Sequence, residues 1–547
     1  MTRPLLLVNS GAYAMQELGA EFGELPPAFL PVGLSRLYEL QAERLAPLPG
    51  DLALTLPDSF VLPDWDAARL RALGFTVVRT PDGLSLGNAI LYALGRLGFC
   101  GRPLRILHGD TLVEGIALDQ DDAVAVADGG DGYRWAQVRM APGGSIAEVL
   151  RPDQTGAAPG PRLCGYFAFG NAAQFAGRLA VANGDFYDAL NLQAASPGLH
   201  AVTPGRWLDF GHVQTYFRSR RIVSTERAFN SLQIGDMHVR KRSGSAAPKL
   251  RAEARWLREV PSSVAPYCAR VLGDGEDADG YFYDSEYEYM PTLAELYVFG
   301  RVTPPSWSRI LASCAGFVDA SAWASEAASE AASEAAGEAP GATGLLTRLV
   351  VDKTARRLEA LASAGDLDLD APNTINGVPA PSLRRCLRGI EVALDGCGDA
   401  PAVMHGDFCF SNILYSFRTD RIRLIDPRGL TERGEFSLYG DLRYDLAKLM
   451  HSVCGRYDVI MAGQYAGGRT GAHSFELTFP DDPWRVQVEA MAKPLAMGGV
   501  RLGSQVVWAA MTSLFLSMPP LHADRPDRQG AFIANALRLF LELEAAG

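Results

Sequence analysis

Asp407, Asn412 and Asp426 have the types and spacing that phosphoryl transfer requires. The chain reads HGDFCFSNIL from His405, and after a short spacer RIRLIDPRG, with Asp426 closing the mostly apolar run Ile422–Ile425. Transfer of a phosphoryl group needs a carboxylate to orient the attacking hydroxyl. It also needs an amide oxygen and a second carboxylate to hold Mg²⁺ against the nucleotide phosphates. Asn412 follows Asp407 by five positions, the spacing of the kinase pattern H-R-D-x-x-x-x-N. An Asp-capped turn or a strand end would account for any one of these residues, but not for the ordered set.

On these residues the segment resembles the aminoglycoside phosphotransferase and choline kinase group, whose loop reads H-G-D-x-x-x-x-N and whose metal-binding Asp lies in I-D-x-x. The resemblance implies Asp407 as catalytic base and Asn412 and Asp426 as Mg²⁺ ligands, with ATP as phosphate donor. YGDLRYDLAKLMHS, further on, is similar to the group's G-D-x-x-Y-D-L-A, and implies that Asp441 and Asp445 brace the loop. As acidic residues at a helix start they would also suit the dipole.

The elements that must position this loop lie upstream. Met237–Lys241 reads as a short strand ending in Lys241, and Lys249–Val260 as an amphipathic helix carrying Glu253. A strand lysine paired with a helix glutamate sets a cation on the nucleotide phosphates, with Lys249 the rival for that cation. NSLQIGD contains one glycine, so no glycine-rich phosphate loop is expected. Tyr281–Met290 is expected to be a strand running into Pro291 as a hinge. Helices are expected near 484–497, 503–516 and 529–546.

The first 222 residues have another pattern. Short apolar runs at Leu5–Val8, Leu52–Leu56, Thr76–Val78, Leu104–Leu107 and Ala123–Ala127 alternate with helix-spaced faces at Leu34–Leu45 and Leu86–Leu97. This alternation predicts a mostly parallel sheet with helices on both sides, with ligands outside the carboxyl ends of the strands. Asp110, in RILHGDTL, ends one strand, and Asp209 lies in RWLDFGHVQTYF. Brought together, two carboxylates could hold Mg²⁺ on a nucleoside triphosphate.

Five segments in order, LPPAFLPVGLSRLYELQAERL, LSLGNAILYAL, GDTL, CGYFAF and WLDFGHVQTY, are similar to those of sugar-phosphate nucleotidyltransferases, which have a Rossmann-like (GT-A type) fold. The resemblance implies Asp110 and Asp209 as metal ligands, Gly87 near the base, and a second NTP as substrate. Two departures accompany it. The family's L-x-A-G-x-G-T-R is LVNSGAYAMQELG here, and the lysine of its P-K is Pro27. Arg36 and Arg151 are candidate replacements for the missing cations.

Composition bounds the remaining choices. The 547 residues are 48% hydrophobic and 21% charged, which predicts two or three globular domains. A net charge of −12 argues against nucleic-acid binding. Scattered cysteines without C-x-x-C suit a reducing cytoplasm. The opening MTRPLLLVNSGAY reads as a buried strand, not a signal peptide, and no apolar stretch reaches the ~20 residues of a membrane span. We place a domain boundary near 222, with a kinase domain over 223–547 that is bilobal and α+β by resemblance. Within it 324–343 is a low-complexity insertion, with Glu326, Glu330, Glu334 and Glu338 at four-residue intervals and no apolar stripe to dock.

The expected protein is a bifunctional small-molecule enzyme. Its kinase half would phosphorylate a sugar, polyol or amino alcohol, and its first half would couple the product to a nucleotide. By resemblance the product is a precursor of surface polysaccharide. Two alternatives stay open: a kinase with a degenerate nucleotide- or sugar-phosphate-binding first domain, and a non-enzymatic scaffold.

Overall fold

The computed structural model describes residues 3–98, 101–116, 120–128, 133–142, 144–154, 160–227, 232–243, 246–336, 344–365 and 367–546, without the side chains of 225–227, 326–336 and 546. The chain divides into two compact units, Met1–Ser224 with Phe299–Arg301, and Thr225–Val298 with Val302–Gly547.

In the first unit four parallel strands lie side by side in the order Leu104–His108, Leu5–Asn9, Asp51–Pro57, Thr76–Thr80. Their register brings Asn9 beside His108 and Val8 beside Leu54. The first three are largely buried and rich in Leu, Val and Ile, as a sheet covered on both faces requires, whereas the edge strand Thr76–Thr80 is only partly buried. Helices Leu37–Leu45, Asp64–Ala72 and Leu86–Leu97 make the crossovers. Ser85 caps the last, accepting a hydrogen bond from the Asn88 N–H at 3.3 Å, in the usual manner of a helix start. Arg162–Phe169 joins antiparallel to Leu104–His108, making a mixed sheet of nine strands. Chain order reverses between Leu5–Asn9 and Leu104–His108, and the crevice at such a switch point is where an open α/β sheet takes its ligand.

The second unit begins with an antiparallel sheet ordered Leu232–Ile234, His238–Ser243, Gly280–Glu286, Val271–Asp277, with helix Ala247–Glu259 packed on it. The expected strand 281–290 stops at Glu286. A helical lobe follows, built around Leu442–Val453, Gln505–Ser517 and Pro526–Ala546. The helix expected over 484–497 ends at Ala492, where the chain turns into a small hairpin. Helix Pro304–Ala336 runs into the alanine-rich segment. Ala324 and Ser325 are buried, so the solvated segment expected from 324 does not begin there. The side chains of Glu326, Glu330, Glu334 and Glu338 lie outside the described residues. Among the described residues no helix is long and apolar enough to cross a membrane.

Candidate functional site

In the second unit the catalytic-loop residues converge. Gly406 has φ +77°, and a Cβ there would lie 2.7 Å from Arg428 Cβ, so the HGD turn admits no side chain at this position. Asp445 is buried, which raises its pKa to about 7, and it accepts the backbone N–H groups of His405 and Gly406, each at 2.7 Å, fixing the loop by two hydrogen bonds. Asp441 accepts from the Ala400 N–H at 3.1 Å and holds Arg443. The indole of the buried Trp256 donates to Met404 O at 3.0 Å, tying helix Ala247–Glu259 to the same loop.

Both oxygens of Asp407 are engaged. Lys448 Nζ lies 2.8 Å from Oδ1, and Asn412 Nδ2 donates to Oδ2 at 2.9 Å. That contact turns the Asn412 amide so that its oxygen points away from Asp407. Burial alone would raise the Asp407 pKa, but Lys448 outweighs it and brings the group down to about 2, so the carboxylate is ionised at neutral pH. His405 is fully buried and depressed to about 4 by that burial, so it is neutral, and its Nδ1 accepts the Asp407 N–H at 3.3 Å.

Lys241 reaches Glu253 at 3.4 Å and also bonds the carboxylate of Asp426. Burial would pull its pKa down, and Asp426, Tyr283 and Glu253 hold it up. Asp426 itself has φ +61°, a left-handed conformation that Asp tolerates better than most residues. Lys249, the rival cation, is 65% exposed and 3.9 Å from Glu253, on the outer side of the pair.

In the first unit a cavity of about 190 Å³ opens at the switch point. It is lined by Asn9–Ala12, Pro27, Leu84, Leu86, Ala89 and His108–Asp110. A second cavity of about 240 Å³ shares His108 and Asp110 and adds Asp209 and His212. Antiparallel pairing of Arg206–Asp209 with Thr111–Glu114 sets Asp209 opposite Thr111, beside Asp110. A methyl on Gly211 would sit 2.6 Å from Asp110 Oδ2 and 3.4 Å from Asp209 Oδ1, so the two carboxylates face one small space. Burial first, and Asp209 second, raise Asp110 to about 6. His212 Nδ1 lies 3.3 Å from Asp209, and Thr215 also bonds that carboxylate. Tyr216 donates to Pro31 O, joining two of the segments singled out in the sequence.

Other candidates have different surroundings. Gly87 packs against Gly184, whose carbonyl oxygen would be 2.4 Å from an added Cβ, while its neighbours Leu86 and Ala89 line the cavity. Arg36 is buried between Asp66 and the carbonyl oxygen of Phe29, and Arg151 is held by Asp185 and Asp188 at 2.7 Å. Neither guanidinium lines these cavities, and both are engaged in ion pairs, so in this structure neither replaces the missing phosphate cations. Among the described residues no group of three or more His, Cys, Asp or Glu side chains is arranged as a metal site. Asp110 and Asp209 face one space, a carboxylate pair that suits Mg²⁺ completed by phosphate and water, while the stretches carrying Asn412 and Asp426 are joined by the Ile425 N–H donating to Asn412 O at 3.1 Å.

Three contributors escaped the sequence reading. Lys448 lies one turn beyond Asp445 on the same helix, a spacing that would have suggested it. Trp256 gives no signal beyond an apolar helix position. Gln41, buried in helix Leu37–Leu45, donates to the carbonyl oxygens of His108, Gly109 and Thr111 at 3.0 to 3.1 Å, holding the Asp110 turn.

An ionised Asp407 braced between a cation and an amide, within one unit with the Lys241–Glu253–Asp426 set, defines a phosphotransferase of the small-molecule kinase type. Comparison with known families agrees: residues 225–477 match the model of the phosphotransferase enzyme family, APH. No curated protein matches the chain. Among solved structures, the GDP and kanamycin complex of an APH(2″) enzyme is similar over 58% of this chain and 93% of its own, at 15% identity and a TM-score of 0.34. The UTP-bound UGPase of Acinetobacter baumannii is similar over 41% of this chain and 94% of its own, at 17% identity and 0.32. The inositol-1-phosphate CTP transferase of T. maritima is similar over 39% and 91%, at 14% and 0.30.

Proposed function

We propose that the second unit transfers the γ-phosphoryl group of ATP to a hydroxyl of a small molecule, and that the first unit couples a phosphate monoester to a nucleoside monophosphate taken from an NTP. The observation that carries the kinase reading is the double engagement of Asp407 by Lys448 and Asn412. An ionised carboxylate so held orients the acceptor hydroxyl and takes its proton at an Asp407 oxygen as the new O–P bond forms. Lys241 is positioned to turn from Asp426 to the nucleotide phosphates while keeping Glu253. Asn412 and Asp426 would hold Mg²⁺, which supplies charge neutralisation on those phosphates when bound. The test is ADP release by the full chain across a metabolite panel, with Asp407→Asn as control. Loss of phosphotransfer with ATP binding retained is expected, and turnover of the variant at the parent rate would refute the assignment.

For the first unit, the convergence of Asp110 and Asp209 at the switch-point cavity supports an NTP·Mg²⁺ site, with the base near Leu84–Ala89. The phosphate monoester made by the kinase would then be the nucleophile, and a surface-polysaccharide precursor the product class. The engagement of Arg36 and Arg151 favours a second reading, in which this unit binds nucleotide or sugar phosphate without turnover. Pyrophosphate release from assorted NTPs in the presence of sugar phosphates separates the two readings.

A further inference from the structure

Around the helix Leu442–Val453, beyond Asp407, lies an excess of positive charge drawn from other segments that the kinase chemistry described above does not use. Tyr444 lies one helical turn before Lys448, on the face that meets Asp407. Its hydroxyl is bonded by Lys353 Nζ at 2.6 Å, and the same ammonium lies 4.9 Å from the centre of its ring. Arg357, one turn further along the helix of Lys353, is held through the carbonyl oxygen and hydroxyl of Ser517 at 3.2 and 3.4 Å. Arg428 lies against Gly406 of the catalytic turn, and its backbone N–H donates to His405 O at 2.8 Å. Lys353, Arg357, Arg428 and Lys448 are all partly buried.

Against these four cations the carboxylates are few. Asp407 is paired with Lys448. Asp445 is spent on two backbone N–H groups. Among the described residues no carboxylate lies within ion-pair distance of Lys353, Arg357 or Arg428. The cations act on one another and on the phenol: burial would raise Tyr444, but Lys353, Lys448 and Arg428 outweigh it and bring it down to about 8. Partly buried positive charges without a counter-charge are costly to keep. A surface built to receive a cationic amino compound would be expected to carry the opposite sign.

We infer that Lys353, Arg357 and Arg428 form the acceptor subsite of the kinase, and that its acceptor is a hydroxyl compound bearing an anionic oxygen group, a phosphate or a carboxylate, in place of an amine. The inference rests on the kinase reading, with the hydroxyl delivered to Asp407 while the anionic group lies toward Tyr444. It narrows the expected acceptors, from sugar, polyol or amino alcohol, to sugar phosphates and sugar acids.

The test uses the full chain and the variant Lys353→Gln/Arg357→Gln, with Lys353→Gln alone as a milder form should the double variant fold poorly. Melting temperature is followed first with Mg·AMP-PNP, then with inorganic phosphate added at saturating Mg·AMP-PNP. The nucleotide should raise the melting temperature of both proteins equally. Phosphate should raise it further for the parent and at least several-fold less for the variant. In the ADP-release assay, glucose, mannose and galactose are compared with their 6-phosphates and uronic acids, which separates a phosphate from a carboxylate as the anchor. For the best anionic acceptor the variant should raise KM at least tenfold with the KM for ATP unchanged. An equal phosphate response in parent and variant would overturn the subsite, as would efficient turnover of an aminoglycoside or neutral sugar with a KM indifferent to the variant. Failure of Mg·AMP-PNP to stabilise either protein would instead remove the kinase reading beneath it.

Discussion

Replacing Lys448 by methionine removes the cation 2.8 Å from Asp407 while keeping most of the apolar stem. A carboxyl held near 2, where 3.8 is ordinary, corresponds to about 2.5 kcal/mol between its two protonation states. The Asp407 side chain is 41% exposed, so screening by water reduces what the pair contributes to stability, to about 1 kcal/mol. The measurement is a double-mutant cycle of Lys448→Met and Asp407→Asn, read as urea unfolding of the kinase transition at pH 7. A coupling of about 1 kcal/mol is expected. Because the folded-state pKa is depressed, this stability is present above 3.8 and is lost as pH falls through about 2. The coupling should therefore be constant from pH 8 to pH 5. A coupling indistinguishable from zero at pH 7, or one that fades between pH 8 and 6, would refute the claim that Lys448 holds Asp407 ionised.

Three further outcomes are expected. Lys241→Met should weaken Mg·ATP binding at least tenfold and Lys249→Met less than about twofold, since an exposed ion pair contributes little; the reverse ranking by calorimetry would exchange their roles. Asp445→Ala strands two backbone N–H groups in a buried loop and should cost about 2–4 kcal/mol in the same unfolding assay, with Asp445→Asn losing less because one acceptor remains. Asp110, raised to about 6, is protonated below that pH, so Mg²⁺-dependent NTP binding by the full chain should weaken as pH falls from 7 to 5. Burying its charge costs stability progressively as pH rises from 3.8 to about 6, so the gain in melting temperature of Asp110→Asn over the parent should be largest at pH 8, about half as large at pH 5 and absent below about pH 4, while kinase turnover persists; NTP binding that is flat from pH 7 to 5 would count against Asp110 as a ligand.

The sequence alone determined the fold class of both halves and marked the residues proposed to do chemistry. The apolar runs at Leu5–Val8, Leu52–Leu56 and Leu104–Leu107 are legible as parallel strands because a sheet buried on both faces needs unbroken hydrophobic stretches. Asp407 and Asn412 are legible because both lie in one short loop, where spacing nearly fixes geometry. Packing between distant segments decided the rest. Asp209 comes beside Asp110 through an antiparallel register that no local pattern encodes. Arg36 is withdrawn from the phosphate-binding role by its buried pairing with Asp66, and Ala324 and Ser325 are buried within a stretch whose composition reads as solvated. Lys448, Trp256 and Gln41 gain their roles from what faces them across the fold. Periodicity and spacing register the constraints a segment places on itself, whereas charge balance and burial depend on the neighbours that the tertiary structure supplies.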